Sequence, residues 1–561
     1  MSHSKKKQGP QPGGGGKPAG GPPTVFSMPM FHDWVPKSIR PWIYLLGACC
    51  FQLSNGVYLG ALNQMVGENA VMREDVRMCL YASLAGMAIY FPILFRMKFR
   101  FTNRFLLICA ALTVIACNLL VLLPLPSPVL WMICFVAGMA KIQGTFEHMS
   151  NIQLWITPKR NFGVFFPVLH LVLLTAMDVS AYLAAIFAYE MHWTLMHWFV
   201  TGLMFYVLFV QVLLTRPFHA MPQIVPLKGF DFFGISLWAV LFLQIAWLLN
   251  YGDWLDYWDA PAFRLVTGTA LITAAVCIQR MLYHPRPYYE PAMWKYPHVV
   301  PILLLIAFVD LLFSCENVLE AAYFGGTMRW ETHTTELFQL FWATPGSWLG
   351  CIFSLVWLKL LQWNPYKLIA TGLCVFSVYA AQFYFLLDFA TALEMFRLAL
   401  FCRGFAYAVL SIALMWSLNE CMSFQHFFQI LSIFNMLHMY VGGLVGTALH
   451  NFAMRYYMYD GIERYSGYVT PSSLSGSIIG SGFSLDALNS GLQAQSMKIL
   501  FGWTLYASLF FAAAMLLWDI PAIRQRIRLM QSWPHVGVLV YRGFRRQQKL
   551  KRLRHLRAEQ G

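Results

Sequence analysis

The sequence predicts an all-α polytopic membrane protein with fourteen spanning helices, and three observations predict it. Apolar stretches of spanning length fill most of residues 41–519. Hydrophobic residues make up 58% of the chain and charged residues 12%, about half the charged share of soluble proteins. The net charge of +15 is carried by the two ends, because the chain between them holds equal numbers of acids and bases. A helix needs about 20 mainly apolar residues to cross a bilayer, since lipid offers backbone groups no hydrogen-bond partner. These features exclude a soluble enzyme.

The elements follow in order. Residues 1–40 carry six Lys/Arg and one acid, and their first 24 are rich in Gly, Pro and Lys. Such a composition cannot bury a core, so it reads as a disordered basic cytoplasmic tail. The first apolar run is of full spanning length, which argues against a cleavable signal peptide. Spans are expected at 41–62, 78–96, 104–124, 128–154, 163–188, 193–215, 232–250, 262–283, 298–323, 334–360, 366–387, 394–418, 425–452 and 498–519. The longest external loop is 452–497, rich in Ser and Gly. The terminal segment 520–561 carries eleven Lys/Arg and one glutamate, a second basic cytoplasmic tail or a basic helix on the anionic inner leaflet.

Flanking charge sets orientation. Loops assigned to the cytoplasm hold Arg96, Lys98, Arg100, Arg104, Lys159, Arg160, Arg216, Lys228, Arg280, Arg286, Lys295 and Lys367. External loops lean acidic at Asp253, Asp256 and Asp259. By the positive-inside rule both termini are expected in the cytoplasm. Because the excess charge flanks the spans, it points to the lipid bilayer as partner and away from nucleic acid. The twelve cysteines are scattered, mostly within spans and without a C-x-x-C pair, so they read as buried thiols and not as a metal or disulfide framework.

Ionisable residues within the bilayer are costly and mark function by default. At about 1.5 Å of rise per residue, Lys141 of the fourth span and Asp178 of the fifth lie at nearly one depth, so they are expected to pair. Glu147 lies lower in the fourth span. The ninth span carries Asp310 at mid-depth, with Glu316 and Glu320 four residues apart on one face. Arg403 of the twelfth span falls at a depth between Asp310 and Glu316. Carboxylates that exchange between a desolvated state and a nearby cation can take up and release protons. A static salt bridge between helices is the competing reading. Histidines 148, 170, 426, 438 and 450 read first as packing residues, and Trp247 and Trp416 as aromatics deep enough to line a cavity.

The run FDFFGISLWAVLFLQIAWLLNYGDWLDYWDAPAFRL, residues 230–265, resembles the seventh span and external loop of the fourteen-span drug:proton antiporter branch of the major facilitator superfamily, the EmrB/QacA type. Gly252, Asp256, Tyr257, Trp258, Asp259 and Pro261 carry the loop pattern. HPRPYYEPAMWKYP resembles the linker before that family's second main bundle, and CRGFAYAVLSIALMW continues the likeness. Other signature positions are changed. Asn55 stands where the family has its first-span acid, Cys134 where it has Arg, Ala137 where it has Gln, and Arg96 where it has Asp. Its Gly/Pro motif in the fifth span reads Ser180, Ala181, Ala184 and Ala185.

The resemblance implies a major facilitator fold. A six-helix bundle over 41–215 and another over 298–519 would flank two additional spans within 216–297. It implies proton-coupled export of amphipathic, drug-like compounds across the bacterial inner membrane, powered by the proton gradient without a cofactor. A periplasmic adaptor and an outer-membrane channel would be partners by the same analogy. Import or facilitated passage of a polar metabolite is the alternative. A membrane-embedded acyl- or glycosyltransferase is the remote one, since no His-x-x-x-x-Asp occurs and the cytoplasmic loops are short. The candidate coupling residues are Asp310, Glu316, Glu320, Arg403, Lys141, Asp178, Glu147 and Asn55.

Overall fold

The computed structural model describes residues 28–518 except 55–56, 70, 159–160, 220–230, 297, 389–390 and 467–484. Among the described residues the chain is helical, with a single isolated antiparallel bridge between Phe31 and Thr215. Among the described residues, thirteen helices are long and apolar enough to cross a membrane. The expected first span is interrupted. Helix α1, Arg40–Gln52, gives way at Leu53 to a short 3-10 turn, Leu59–Ala61, and then α2, Leu62–Asn69. Thirteen residues are too few to span about 30 Å, so the first segment crosses only as a broken helix. Its sequence here is Ser-Asn-Gly, a run of poor helix formers.

The expected tail 1–40 also ends earlier than read from composition. Met28, Met30 and Phe31 are fully buried. The buried Arg40 guanidinium donates to the carbonyls of Met28, His32 and Val35 at 2.9–3.3 Å, and so closes this segment into a compact turn. Residues 520–561 lie outside the described residues.

Helices α3 (Arg73–Tyr90), α4 (Leu94–Arg100), α5 (Asn103–Val121), α6 (Ser127–Ile156), α7 (Phe162–Glu190) and α8 (Leu195–Leu213) form the first bundle with α1, which packs against α6, α7 and α8. After α9 (Phe232–Tyr251) and α10 (Pro261–Tyr283) come α11 (Val299–Cys315), α12 (Thr332–Leu355), α13 (Pro365–Leu386) and α14 (Arg397–Glu420). Then follow α15 (Phe424–Leu437), α16 (Gly446–Ser466) and α17 (Leu485–Trp518). The stretch 452–497, expected to be an external loop, is therefore helical at both ends, over 452–466 and 485–497.

The two halves are built alike. In the first, α3 meets α6 where Gly86 faces the Phe135 carbonyl and Gly138 faces the Ser83 carbonyl. In the second, α12 meets α14 where Gly346 faces the Phe401 carbonyl and Gly404 faces that of Ala343. A methyl at any of the four would collide with backbone oxygen, so the missing side chains let the helices touch. Both bundles thus use the same reciprocal contact.

The bundles meet along α7 and α12 over most of their lengths, and along α3 and α15. The end of the molecule that carries Arg96, Lys98, Arg100, Arg104, Lys295 and Lys367 is here termed the basic end. There the halves are closed against each other by aromatic rings. Phe428 of α15 meets Phe95 at 4.5 Å and Phe146 at 6.0 Å, and Phe427 meets Phe166 at 6.0 Å, all between centroids. The segment linking α10 to α11 lies across this seam. The Tyr288 hydroxyl donates to the Ile89 carbonyl, Tyr289 contacts Ser432 Oγ at 2.6 Å, and Ser432 donates to the Ala88 carbonyl at 2.6 Å. Glu290 pairs with His426 at 3.2 Å.

Candidate functional site

Arg403 is the seventh residue of α14 and is buried. Its Nη1 donates to Glu320 Oε1 at 2.6 Å and stands 3.2 Å from Glu316 Oε1. The two carboxylates differ in access. Glu320 is 1% exposed, Glu316 36%. The Tyr379 hydroxyl donates to Glu320 Oε2 at 2.9 Å and Gln339 Nε2 to Oε1 at 3.4 Å, so every Glu320 oxygen has a donor. One guanidinium therefore holds a buried acid and a water-accessible acid at once.

The local fold brings this about. The chain after α11 continues as π-helix over Glu316–Glu320 and again over Ala322–Thr327. Such wider turns concentrate at functional sites, because each leaves backbone and side chains in non-helical register. Here the widened turn carries both glutamates that meet the same nitrogen.

Around this pair stand further acids. Asp178 of α7 accepts from Thr344 Oγ1 of α12 at 2.6 Å. Glu336 of α12 lies within electrostatic reach of Glu316, Glu320, Asp178 and Arg403. Asp178, Glu316, Glu320 and Glu336 thus lie within electrostatic reach of one guanidinium, and at full ionisation the cluster is negative. Glu336, Tyr379 and Gln339 gave no warning in the sequence. Glu336 sits five residues into its helix, where an acid reads as an interfacial residue.

Asp310 belongs to a different site. Its depth near that of Arg403 does not bring the two together: its Oδ1 lies 2.8 Å from Nδ1 of His438, and His438 Nε2 lies 3.3 Å from the Tyr407 hydroxyl. Six residues advance an α-helix by 600°, so Asp310 and Glu316 leave α11 on faces about 120° apart. Depth was shared; azimuth was not.

The expected Lys141–Asp178 pair is likewise corrected. No ion pair joins them among the described residues, and the Asp178 carboxylate takes the Thr344 hydroxyl instead. Helix α7 runs chiefly along α12 and only marginally along α6. Lys141 is buried within α6. Glu147, also buried, is paired at the basic end with Lys98 at 3.2 Å, and Lys98 also contacts Ser150 and the Phe146 ring. The basic loop counted only for orientation therefore supplies Glu147 with its counter-ion. Asn55 lies outside the described residues.

The small residues of α7 have a visible use. Gly60, in the 3-10 turn of the broken first segment, fits against Ala181, Ala184 and Ala185, and Ser180 Oγ donates to the Leu53 carbonyl at 3.4 Å. His148 and His170 donate to carbonyls one turn back at 2.8 and 2.9 Å, as packing residues do. Trp247 stacks on Tyr251 within α9, and Trp416 abuts Gly163 at the basic end.

No protein-family model and no curated sequence matches the chain. Solved structures do align over most of both chains. Tetrameric PepTSo2 aligns with TM-score 0.52 at 12% identity, covering 87% of this chain and 99% of that one. A POT peptide transporter in complex with alafosfalin aligns with TM-score 0.52 at 13% identity, covering 88% and 96%. A proton:xylose symporter of the major facilitator superfamily aligns more loosely, with TM-score 0.45 at 11% identity over 84% and 95%. The fold is the major facilitator fold of a multi-pass membrane protein.

Proposed function

We propose that this chain is a proton-coupled secondary active transporter whose two bundles rock about the acid-lined centre, and that it exports amphipathic compounds. The observation that carries the reading is the Arg403 nitrogen shared between buried Glu320 at 2.6 Å and accessible Glu316 at 3.2 Å. An exchangeable carboxylate beside a permanent cation changes its proton affinity as the cation moves, which couples proton transfer to rocking. The fold supports the carrier class by analogy, since a solved peptide transporter shares it. Acids outnumber the single arginine, which favours an amphipath bearing positive charge.

The expected orientation places the basic end in the cytoplasm. The closed aromatic seam then corresponds to a state shut toward the cytoplasm. Export through a periplasmic adaptor and outer-membrane channel of the bacterial inner membrane rests on the family resemblance.

The test is flux in proteoliposomes. Ethidium, an amphipathic cation, should move against an imposed pH gradient, and a neutral dipeptide and xylose serve as probes for the import reading. Ethidium movement that ignores the gradient would remove proton coupling. Gradient-driven uptake of the dipeptide or sugar, without ethidium transport, would replace export by import of a polar metabolite.

A further inference from the structure

We propose that His438, held between Asp310 and Tyr407, is a proton-binding switch separate from the Arg403–Glu320 pair, and that it controls closure of the bundles. The proposal deepens the carrier reading, and its test needs no transport.

The geometry begins with access. The Asp310 side chain is 8% exposed and the His438 side chain 43%, so a proton reaches the pair through the imidazole. Asp310 Oδ1 takes His438 Nδ1 at 2.8 Å, while Oδ2 is buried with no hydrogen-bond partner among the described residues. An ionised carboxylate only accepts, so Nδ1 must carry hydrogen and Nε2 presents its lone pair to the Tyr407 hydroxyl 3.3 Å away. In that state the pair carries a buried negative charge. Uptake of one proton at Nε2 from water makes the ring an imidazolium and the pair neutral overall. The Tyr407 contact must then invert, because Nε2–H donates and the phenol oxygen accepts. The phenol hydrogen turns away, toward a surround that includes Ser411, Glu316 and Asp178.

The second part of the argument is where His438 sits. It opens a π-helical stretch, His438–Val445, between α15 and α16. Within that stretch Gly442 packs on Asp310, where a methyl would lie 3.3 Å from the Asp310 Cβ. The next carbonyl, Gly443, accepts from Tyr81 of α3 in the other bundle at 3.2 Å. Charge on His438 and contact between bundles are thus joined by one short, irregular turn that has discrete alternative registers. The titratable and charged groups facing it are Asp310 from α11, Tyr407 from α14 and Tyr81 from α3. Tyr440, on the turn itself, donates to the Phe242 carbonyl of α9. Glu316 and Asp178 complete the surround through Tyr407.

Infrared difference spectra of the full chain in lipid nanodiscs, taken between about pH 5 and pH 8, bracket the range in which an imidazole titrates. Wild-type protein should show an imidazole band together with a perturbed carboxylate band. Both should vanish in His438→Gln, the carboxylate band should vanish and the imidazole midpoint shift in Asp310→Asn, and both should persist in Glu320→Gln. Hydrogen exchange of α3 amides, corrected for intrinsic rate, should change with pH in wild type and become pH-independent in His438→Gln. If that variant does not fold, Tyr407→Phe keeps the ring and should shift the titration midpoint while retaining the band. An unchanged spectrum in Asp310→Asn, or bands lost only in Glu320→Gln, would overturn the proposal. Intact bands with no gradient-driven flux of ethidium, dipeptide or xylose would instead remove the carrier reading and leave the switch standing.

Discussion

Arg403 of α14 holds Glu320, in the π-helical turn after α11, at 2.6 Å in a site where both side chains are almost wholly removed from solvent. A buried pair costs desolvation on both sides, and removing one partner strands the other, typically by about 3–5 kcal/mol. Glu320→Gln and Arg403→Gln should each lower the thermal unfolding temperature of the detergent-solubilised protein. The double variant should recover part of that loss. A double variant that unfolds at the sum of the two single losses would show that the charges do not interact.

Glu316 shares the same arginine yet keeps its face to water. Glu316→Gln should leave the unfolding temperature within the range of a surface change, about 0.5 kcal/mol, and should uncouple ethidium flux from the pH gradient. Well-folded Glu316→Gln protein with unaltered gradient-driven flux would confine coupling to other residues.

Asp178 depends on Thr344 and not on Lys141. Thr344→Val leaves a buried acceptor without its donor, a loss of about 1–3 kcal/mol. In a double-mutant cycle, Lys141→Met and Asp178→Asn should add to within about 0.5 kcal/mol, read by urea or thermal unfolding. Strong non-additivity would restore the pair expected from depth alone.

The linker across the basic seam should act as a latch. Tyr289 meets Ser432, which in turn donates to the Ala88 carbonyl of the opposite bundle. Tyr289→Phe removes one hydrogen bond worth about 1 kcal/mol. The open fraction at the basic end should therefore rise about fivefold, read as faster hydrogen exchange in α15. Burial pushes the Tyr289 phenol well up from its ordinary value. A raised acid stabilises the closed state below its free value, about pH 10, and the contribution is lost only as pH rises beyond that. The effect of Tyr289→Phe should thus be the same at pH 6 and pH 9.

Asp231 caps α9 through the Gly234 N–H at 2.9 Å and pairs with Arg280 at 2.6 Å. Burial alone would raise this carboxyl, but the Arg280 guanidinium, the Gly234 N–H and nearby His284 outweigh it and hold it below the ordinary carboxylate range. A depressed acid gives stability that is present above its free value, about pH 3.9, and lost as pH falls through the lower folded value. Asp231→Ala should cost about 1–2 kcal/mol as a lost cap. The deficit should be constant from pH 5 to pH 8 in thermal unfolding and close only in stronger acid.

Hydropathy alone determined that this chain is a many-helix membrane protein and where most of its helices lie. Lipid forces every backbone group into a helix, and that demand is written residue by residue in the sequence. Composition also marked Asp310, Glu316, Glu320 and Arg403 as ionisable groups placed where charge is costly. The break after Gln52 was carried by a Ser-Asn-Gly run too short to outweigh the apolar residues on either side. Partnership was not legible. Depth along a helix follows from counting residues, but which face meets which neighbour depends on rotation and on where small residues let backbones touch. Tertiary packing therefore gave Asp310 to His438, Asp178 to Thr344 and Glu147 to Lys98, and brought Glu336 to an arginine two helices away in sequence. The π-helical turns decided the rest, because they shift side-chain direction with no signature in the pattern of apolar residues.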